Sequence, residues 1–310
     1  MTNKVNICLY HGIDLDGFCG GAIYAEYMQE RDEPFEMIPA NYGWALDWEK
    51  FDGAEITLID FSIQPYEDFM ALLERASKVV WIDHHKSAID ECLSRPMPVE
   101  LDRKLTRVLD VRKAGCELAW EYFRPNERMP LAVRLLGRYD VWDHSDELTL
   151  PFQYGMRLYD MDPSNGDDRR LWSNLLDQYL SPDAVHPRTT EGATVLRYQT
   201  REDEIGAKTC FTLDWEGLRW IAANRGGRGS KFFDSVWDEE KYDGMMGFSW
   251  NGATWTFGLY STKPEIDCGA IAKRHGGGGH PGAAGFRTDA LPFELADTTK
   301  LPPTSIDTKE

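Results

Sequence analysis

The sequence predicts an α/β protein: a mostly parallel sheet with flanking helices, followed by a smaller α/β C-terminal domain. Three observations predict it. Over residues 4–144 short apolar runs alternate with stretches of helical spacing, which is the pattern of a parallel sheet covered by helices. Three of those runs end in Asp or His. From about residue 209 the pattern changes to closely spaced strand-like runs.

Residues 5–10 (Val-Asn-Ile-Cys-Leu-Tyr) read as a strand that runs into His11-Gly12-Ile13-Asp14-Leu15-Asp16-Gly17. From Gly17 to Tyr27, apolar residues at 18, 22, 23 and 27 have helical spacing. Residues 56–59 form a strand that runs into Asp60, and Pro65 starts a helix to about Arg75. The run Val79-Val80-Trp81-Ile82 leads into Asp83-His84-His85. Further helices are expected at 115–123 and 130–138. Residues 148–208 show no strand pattern and read as helices, with 190–208 bridging two domains. Strands follow at 209–214, 218–223, 244–250 and 253–260, with helices at 229–238 and 268–275. The domain expectation is therefore 1–147, a helical connection over 148–208, a second domain over 209–289, and a flexible tail over 290–310.

Composition excludes several classes. An apolar fraction of 42% is enough for a real core. A mean hydropathy of -0.49, with no apolar run near the roughly 20 residues needed to span a bilayer, argues against a membrane protein. No signal-peptide pattern precedes the first strand. The six cysteines form no Cys-x-x-Cys pair, which points to a reducing cytoplasm rather than a disulfide framework or a zinc–thiolate site. A net charge of -18 repels long polyanions, so duplex DNA is not an expected partner.

The chemistry concentrates at the strand ends. In an open α/β sheet, ligands collect beyond the carboxyl ends of the strands. His11, Asp14, Asp16, Asp60, Asp83, His84 and His85 all fall at such ends and can converge there. Asp14 and Asp16, two apart, project to the same side if the backbone is extended. Unpaired carboxylates cannot share a site without a cation. Two divalent ions resolve the repulsion and serve the hydrolysis of phosphate esters. Oxygen and imidazole donors without thiolate favour manganese, with magnesium, cobalt or zinc as lesser candidates. Asp140, in Arg138-Tyr139-Asp140-Val141-Trp142-Asp143-His144, is the expected further ligand. Each Asp alone is more often a cap or turn former; the set together points to a metal centre.

These residues resemble the motifs of the DHH superfamily of phosphoesterases: the His11–Gly17 segment, Asp60, Asp83-His84-His85 and Asp140. Residues 276–286 (Gly-Gly-Gly-Gly-His-Pro-Gly-Ala-Ala-Gly-Phe) resemble the glycine–histidine signature of the DHH-associated C-terminal domain. The resemblance implies that His11 and Asp14 hold one ion, that Asp16, His84 and Asp140 hold the other, and that Asp60 bridges them. It implies a phosphate contact for His85, a supporting role for Asp83, and a metal-bridging hydroxide as nucleophile. Two departures stand out. Two residues, Gly12 and Ile13, separate His11 from Asp14 where many members have one. Tyr260 lies near a position where many short-oligonucleotide hydrolases of the family carry arginine.

In the second domain, Gly277, Gly278, Gly279 and His280 would form an anion-binding nest for substrate phosphate. Arg225, Arg228 and Lys231 are the candidate extra cations, with Arg228 preferred. Trp142 is the best-placed tryptophan for stacking on a base. The expected activity is metal-dependent, nanoRNase-like hydrolysis of short single-stranded oligonucleotides or linear dinucleotides to mononucleotides, with the substrate held across a cleft. Phosphomonoesterase action on nucleoside bisphosphates, cyclic-dinucleotide hydrolysis and pyrophosphate hydrolysis are the enzymatic alternatives. A nucleotide-binding sensor is the non-enzymatic one. A homodimer is left open.

Overall fold

The computed structural model describes residues 5–294, apart from the side chains of residues 166–168. Contacts divide the chain into two compact units, Met1–Gln199 and Thr200–Glu310.

The first unit contains β1 (Asn6–His11), α1 (Leu15–Gln29), β2 (Phe35–Ala40), β3 (Glu55–Ile59), α2 (Tyr66–Arg75), β4 (Lys78–Asp83), α3 (Lys86–Ser94), the single turn α4 (Val99–Asp102), β5 (Leu105–Leu109), α5 (Gly115–Phe123), α6 (Leu131–Asp140), α7 (Thr149–Met156) and α8 (Gly166–Leu176). The long α9 (Ser181–Ala207) contains the boundary between the units. The five strands form a parallel sheet in the order β2-β1-β3-β4-β5. The order of strand addition reverses between β1 and β3, and such a switch point is where an open α/β sheet leaves a crevice at its carboxyl edge.

Alternation along the strands builds a core on each face. From β1, Cys8 and Tyr10 pack with Ile23, Cys116 and Leu135, whereas Ile7 and Leu9 pack with Leu58, Trp81 and Leu72. Burial on both faces gives β1 and β4 their near-continuous apolar runs. The edge strands β2 and β5 are only half-buried, and the sequence pattern there is correspondingly weak. Pro39 is tolerated in β2 because an edge strand has an unpaired side. The helices expected over 148–208 are present. Phe152, Met156, Trp172, Leu175 and Leu176 join the same core as α1 and α5, so α7 and α8 are built into the first unit.

The second unit contains β6 (Phe211–Trp215), β7 (Leu218–Asn224), β8 (Gly244–Trp250), β9 (Trp255–Tyr260), α10 (Cys268–Arg274), β10 (Gly278–His280) and β11 (Ala283–Thr288). They form a six-stranded sheet in the order β10-β11-β9-β8-β7-β6. Only β7 and β8 run parallel. Trp220, Phe257, Leu259 and Phe286 pack with Ile271 of α10 on one face. Phe232, Phe233 and Met245 fill the other.

Two sequence expectations are corrected here. The helix expected at 229–238 is a short 3₁₀ turn, Ser230–Phe233, because the consecutive Phe232 and Phe233 are both buried and hold the segment as tight turns. Residues 291–293, placed within the expected tail, are packed. Leu291 and Phe293 pack on the second unit's core, and Trp215 Nε1 donates to the carbonyl of Pro292 at 3.0 Å. Residues 295–310 lie outside the described residues. No described helix is long and apolar enough to cross a membrane.

Candidate metal centre

The carboxyl ends of β1, β3 and β4 and the start of α1 deliver the acidic and imidazole groups. His11 is the last residue of β1. Asp14 is extended (φ -141, ψ 170) and caps α1, with its side chain accepting from Gly17 N at 2.9 Å. Its other oxygen, Oδ2, lies 2.8 Å from His11 Nδ1. One carboxylate thus serves as helix cap and as part of the centre.

Asp16 corrects the expectation of an extended Asp14–Asp16 pair, because the chain enters α1 at Leu15 and Asp16 sits in the first helical turn. The side chain of Asp16 reaches α5 and accepts from Gly115 N at 2.7 Å and Cys116 N at 2.8 Å. Gly17 is dictated by crowding, since a Cβ there would lie 2.0 Å from the His11 carbonyl oxygen.

Asp60 follows β3 with φ 54, a left-handed conformation that is uncommon for a residue other than glycine. Such strain clusters at functional sites. Gly115 makes the position achievable: a Cβ on Gly115 would stand 2.5 Å from Asp60 Cβ. Sequence reasoning missed Gly115 as part of the site. Its signal was a glycine at the first position of a predicted helix.

Asp83 ends β4 fully buried. Its Oδ1 accepts from the backbone of His84 at 2.7 Å and of His85 at 3.1 Å, and meets His85 Nδ1 at 2.8 Å. Its Oδ2 accepts from Trp81 Nε1 at 3.0 Å. This arrangement fixes the backbone of both histidines, orients the His85 ring and assigns the proton on His85 Nδ1 to the Asp83 side. Asp140, the last residue of α6, completes the cluster.

Two groups of candidate ligands lie on either side of Asp60. His11, Asp14 and Asp60 form one, and Asp16, His84 and Asp140 form another, each with ligand atoms within 4.8 Å of one another. Asp60 Oδ2 faces His11 Nδ1 at 3.5 Å, and Asp60 Oδ1 faces His84 Nε2 at 3.1 Å. His84 Nε2 also lies 3.2 Å from Asp140 Oδ2 and 3.7 Å from Asp16 Oδ2. His85 can be grouped with Asp60 and His84, but its Nδ1 is engaged by Asp83.

Electrostatics show what this cluster lacks. Both ring nitrogens of His11, Asp60 Oδ1 and Asp140 Oδ2 are buried without a well-aligned hydrogen bond. Burial pushes Asp16 well above the usual carboxylate range, and the charges of Asp60 and Asp140 push it further. Burial and then the Asp60 charge raise Asp140 to about 7. Burial opposes the charged imidazole of His11, yet hydrogen bonding to Asp14 and Asp60 prevails and raises it to about 11. His84 rises to about 10, with Asp60 prevailing over burial in the same way. Burial would raise Asp60, but His11 and His84 hold it below the usual range. The cluster retains protons wherever it is short of positive charge. Divalent cations would supply that charge and find oxygen and imidazole donors with poorly aligned lone pairs. The residues therefore fit divalent cations.

The second-unit candidates stand in that unit's own framework. Arg228 Nε lies 3.7 Å from Asp203 Oδ1. Lys231 pairs with Asp234 at 3.1 Å. Arg225 lies over the Phe232 ring at 5.4 Å. Tyr260 donates its hydroxyl to the Arg228 carbonyl at 3.5 Å. Gly278, Gly279 and His280 form the edge strand β10 rather than an irregular loop. Close packing against β11 explains two of the glycines: a Cβ on Gly277 would meet Gly285 O at 2.1 Å, and one on Gly279 (φ 139) would meet Ala284 Cα at 2.6 Å.

Comparison with solved structures identifies the architecture. The chain is similar to an exopolyphosphatase-related protein from Bacteroides fragilis (TM-score 0.52, 12% identity, covering 96% of this chain and 90% of that one). It is also similar to PggH, a pGpG-specific phosphodiesterase from Vibrio cholerae (TM-score 0.50, 12% identity, covering 92% and 94%). The likeness is one of fold: a parallel five-stranded sheet flanked by helices, with a second sheet unit. In sequence, the chain is 24% identical to the uncharacterized protein R106 of Acanthamoeba polyphaga mimivirus, over 96% of this chain and 72% of that protein. No protein-family model matches. In this fold, the acidic and histidine cluster occupies the carboxyl edge of the parallel sheet at β1, β3 and β4.

Proposed function

We propose that this chain is a DHH-superfamily phosphodiesterase, cytoplasmic and manganese-dependent, that cleaves short oligonucleotides or linear dinucleotides to nucleoside monophosphates. The observation that carries this reading is Asp60, whose two oxygens face two separate donor groups. A pair of divalent ions held there would lower the pKa of a water and neutralise charge on the phosphoryl oxygens. His11 and Asp14 are assigned to one ion, Asp16, His84 and Asp140 to the other, and Asp60 to both. Asp83 holds His85 in the tautomer that leaves Nε2 as the nitrogen turned away from Asp83. His85 is assigned the contact to the scissile phosphate. Arg228, Gly277, Gly278, Gly279 and His280 are assigned the remote part of the substrate, on the resemblance of their segment to the family's C-terminal signature.

The name of the Vibrio neighbour, a pGpG-specific phosphodiesterase, supports the dinucleotide class. The net charge of -18 supports a small substrate over a long polyanion. The test is incubation of the purified, manganese-loaded protein with RNA of two to five nucleotides. Mononucleotide release is expected. Its absence with metal occupancy confirmed, or release of inorganic phosphate alone, overturns the reading.

A further inference from the structure

We infer that Trp142 is a stacking platform for a nucleobase of the substrate, immediately beside the metal centre. The inference rests on the phosphodiesterase reading for the position of the phosphate, and on Trp142 itself for the base.

Trp142 is one of four described non-glycine residues with positive φ (62), and Asp60 is another. A bulky side chain in that region is a genuine outlier, and strain of this kind persists only where the surroundings enforce it. Here they do. Trp142 N donates to Tyr139 O at 3.1 Å and Asp143 N to Arg138 O at 2.8 Å, closing a tight turn directly after Asp140. Arg138 then reaches Asp143 and Asp146, each at 3.5 Å. The turn holds a large indole 53% exposed, although burial would be the favourable outcome for such a surface.

The ring is also supported from behind. Trp142 stacks with His144 (centroids 6.1 Å, planes 26° apart), and His144 stacks with Tyr139 (5.5 Å, 28°). Arg157 lies 5.3 Å from the Tyr139 ring centroid and donates from Nη2 to the Tyr139 hydroxyl at 3.1 Å. The series ends in an exposed indole only two residues from Asp140, a span of at most about 7 Å along the chain. A nucleotide with its phosphate at the metal centre has its base a few bonds away, and an aromatic face accepts any base. A pyrophosphate or polyphosphate substrate would have no use for this stack, so the feature selects nucleotides within the phosphate-ester class.

The test compares AMP with ribose 5-phosphate, which lacks the base, by calorimetric titration of the manganese-loaded full chain. The wild type is expected to bind AMP roughly tenfold tighter. Trp142→Asn removes the ring while keeping a residue that tolerates positive φ. It is expected to bring the ratio to about one with ribose 5-phosphate affinity unchanged, and Trp142→Phe is expected to keep most of the preference. In addition, AMP but not ribose 5-phosphate should quench indole fluorescence of the wild type, and Trp142→Phe should lose that quench. Equal affinities in the wild type, or an unchanged ratio in Trp142→Asn, overturn the inference. A retained ratio in a protein that releases no mononucleotide from RNA would overturn the phosphodiesterase reading alone.

Discussion

At the residue scale, the centre is organised by carboxylates that each do two things. Asp14 caps α1 with one oxygen and meets His11 with the other. Asp60 faces His11 and His84 with different oxygens. Asp60→Asn keeps a side chain that tolerates the left-handed backbone but removes the charge. It is expected to reduce manganese-dependent hydrolysis by more than about 100-fold, beyond the usual effect of an outer-shell change. Steady-state rates with metal content measured in parallel check this. Asp83→Ala leaves the Trp81 indole and two backbone N–H groups without their acceptor. Activity is expected to fall roughly 10- to 100-fold, with a drop in melting temperature that Asp60→Asn need not share. The residue types and their order along the chain were legible in the sequence. The division of labour between the oxygens of one carboxylate was not, because it depends on groups that meet only after folding.

At the scale of elements, the decisive contact is between two helix starts. Asp16, in the first turn of α1, accepts from the first two N–H groups of α5. These lie 99 and 100 residues away in sequence. The amino end of α5 presents unsatisfied donors and a partial positive charge to that carboxylate. Gly115 brings α5 against Asp60. Gly115→Ala is therefore expected to displace Asp60 and weaken manganese binding at least about tenfold, measured by calorimetry. The intrinsic helix propensity of α5 would itself improve with alanine. Unchanged metal affinity would show that Asp60 is held by something other than this contact. The helices α2, α5 and α6 were readable because a buried stripe imposes helical period, and the strands β1, β3 and β4 because near-complete burial imposes an apolar run. The edge strands β2 and β5 are half-buried and gave little pattern. The glycine–histidine segment read as a loop because glycine carries no strand signal, yet β11 supplies its partner.

At the scale of the whole molecule, a divalent ion would compete with protons at one edge of the first sheet. Asp140 is raised to about 7 in the folded state. Its contribution to stability is therefore fully present below its unfolded pKa of about 3.9 and is lost as pH rises through about 7. The chelated protein carries this penalty at pH 8, where a divalent ion relieves it without having to displace the Asp140 proton. A saturating excess of manganese, about 100-fold over its dissociation constant, is expected to raise the melting temperature by roughly 5 °C at pH 8. The increase should be smaller at pH 6, where protons compete. Thermal melts with manganese and with EDTA at the two pH values check this. An equal or larger increase at pH 6 would contradict the charge assignment.

By itself, the sequence determined the fold class and the placing of acidic and histidine residues at the strand ends. These follow from local periodicity and from the order of residues along the chain. Only the tertiary structure decided that Gly115 and Cys116 anchor Asp16, that Asp60 lies between two donor groups, and that Trp142 is held out on a strained turn. Each of those is a meeting of segments distant in sequence or a backbone conformation enforced by neighbours, and neither leaves a periodic trace in the chain.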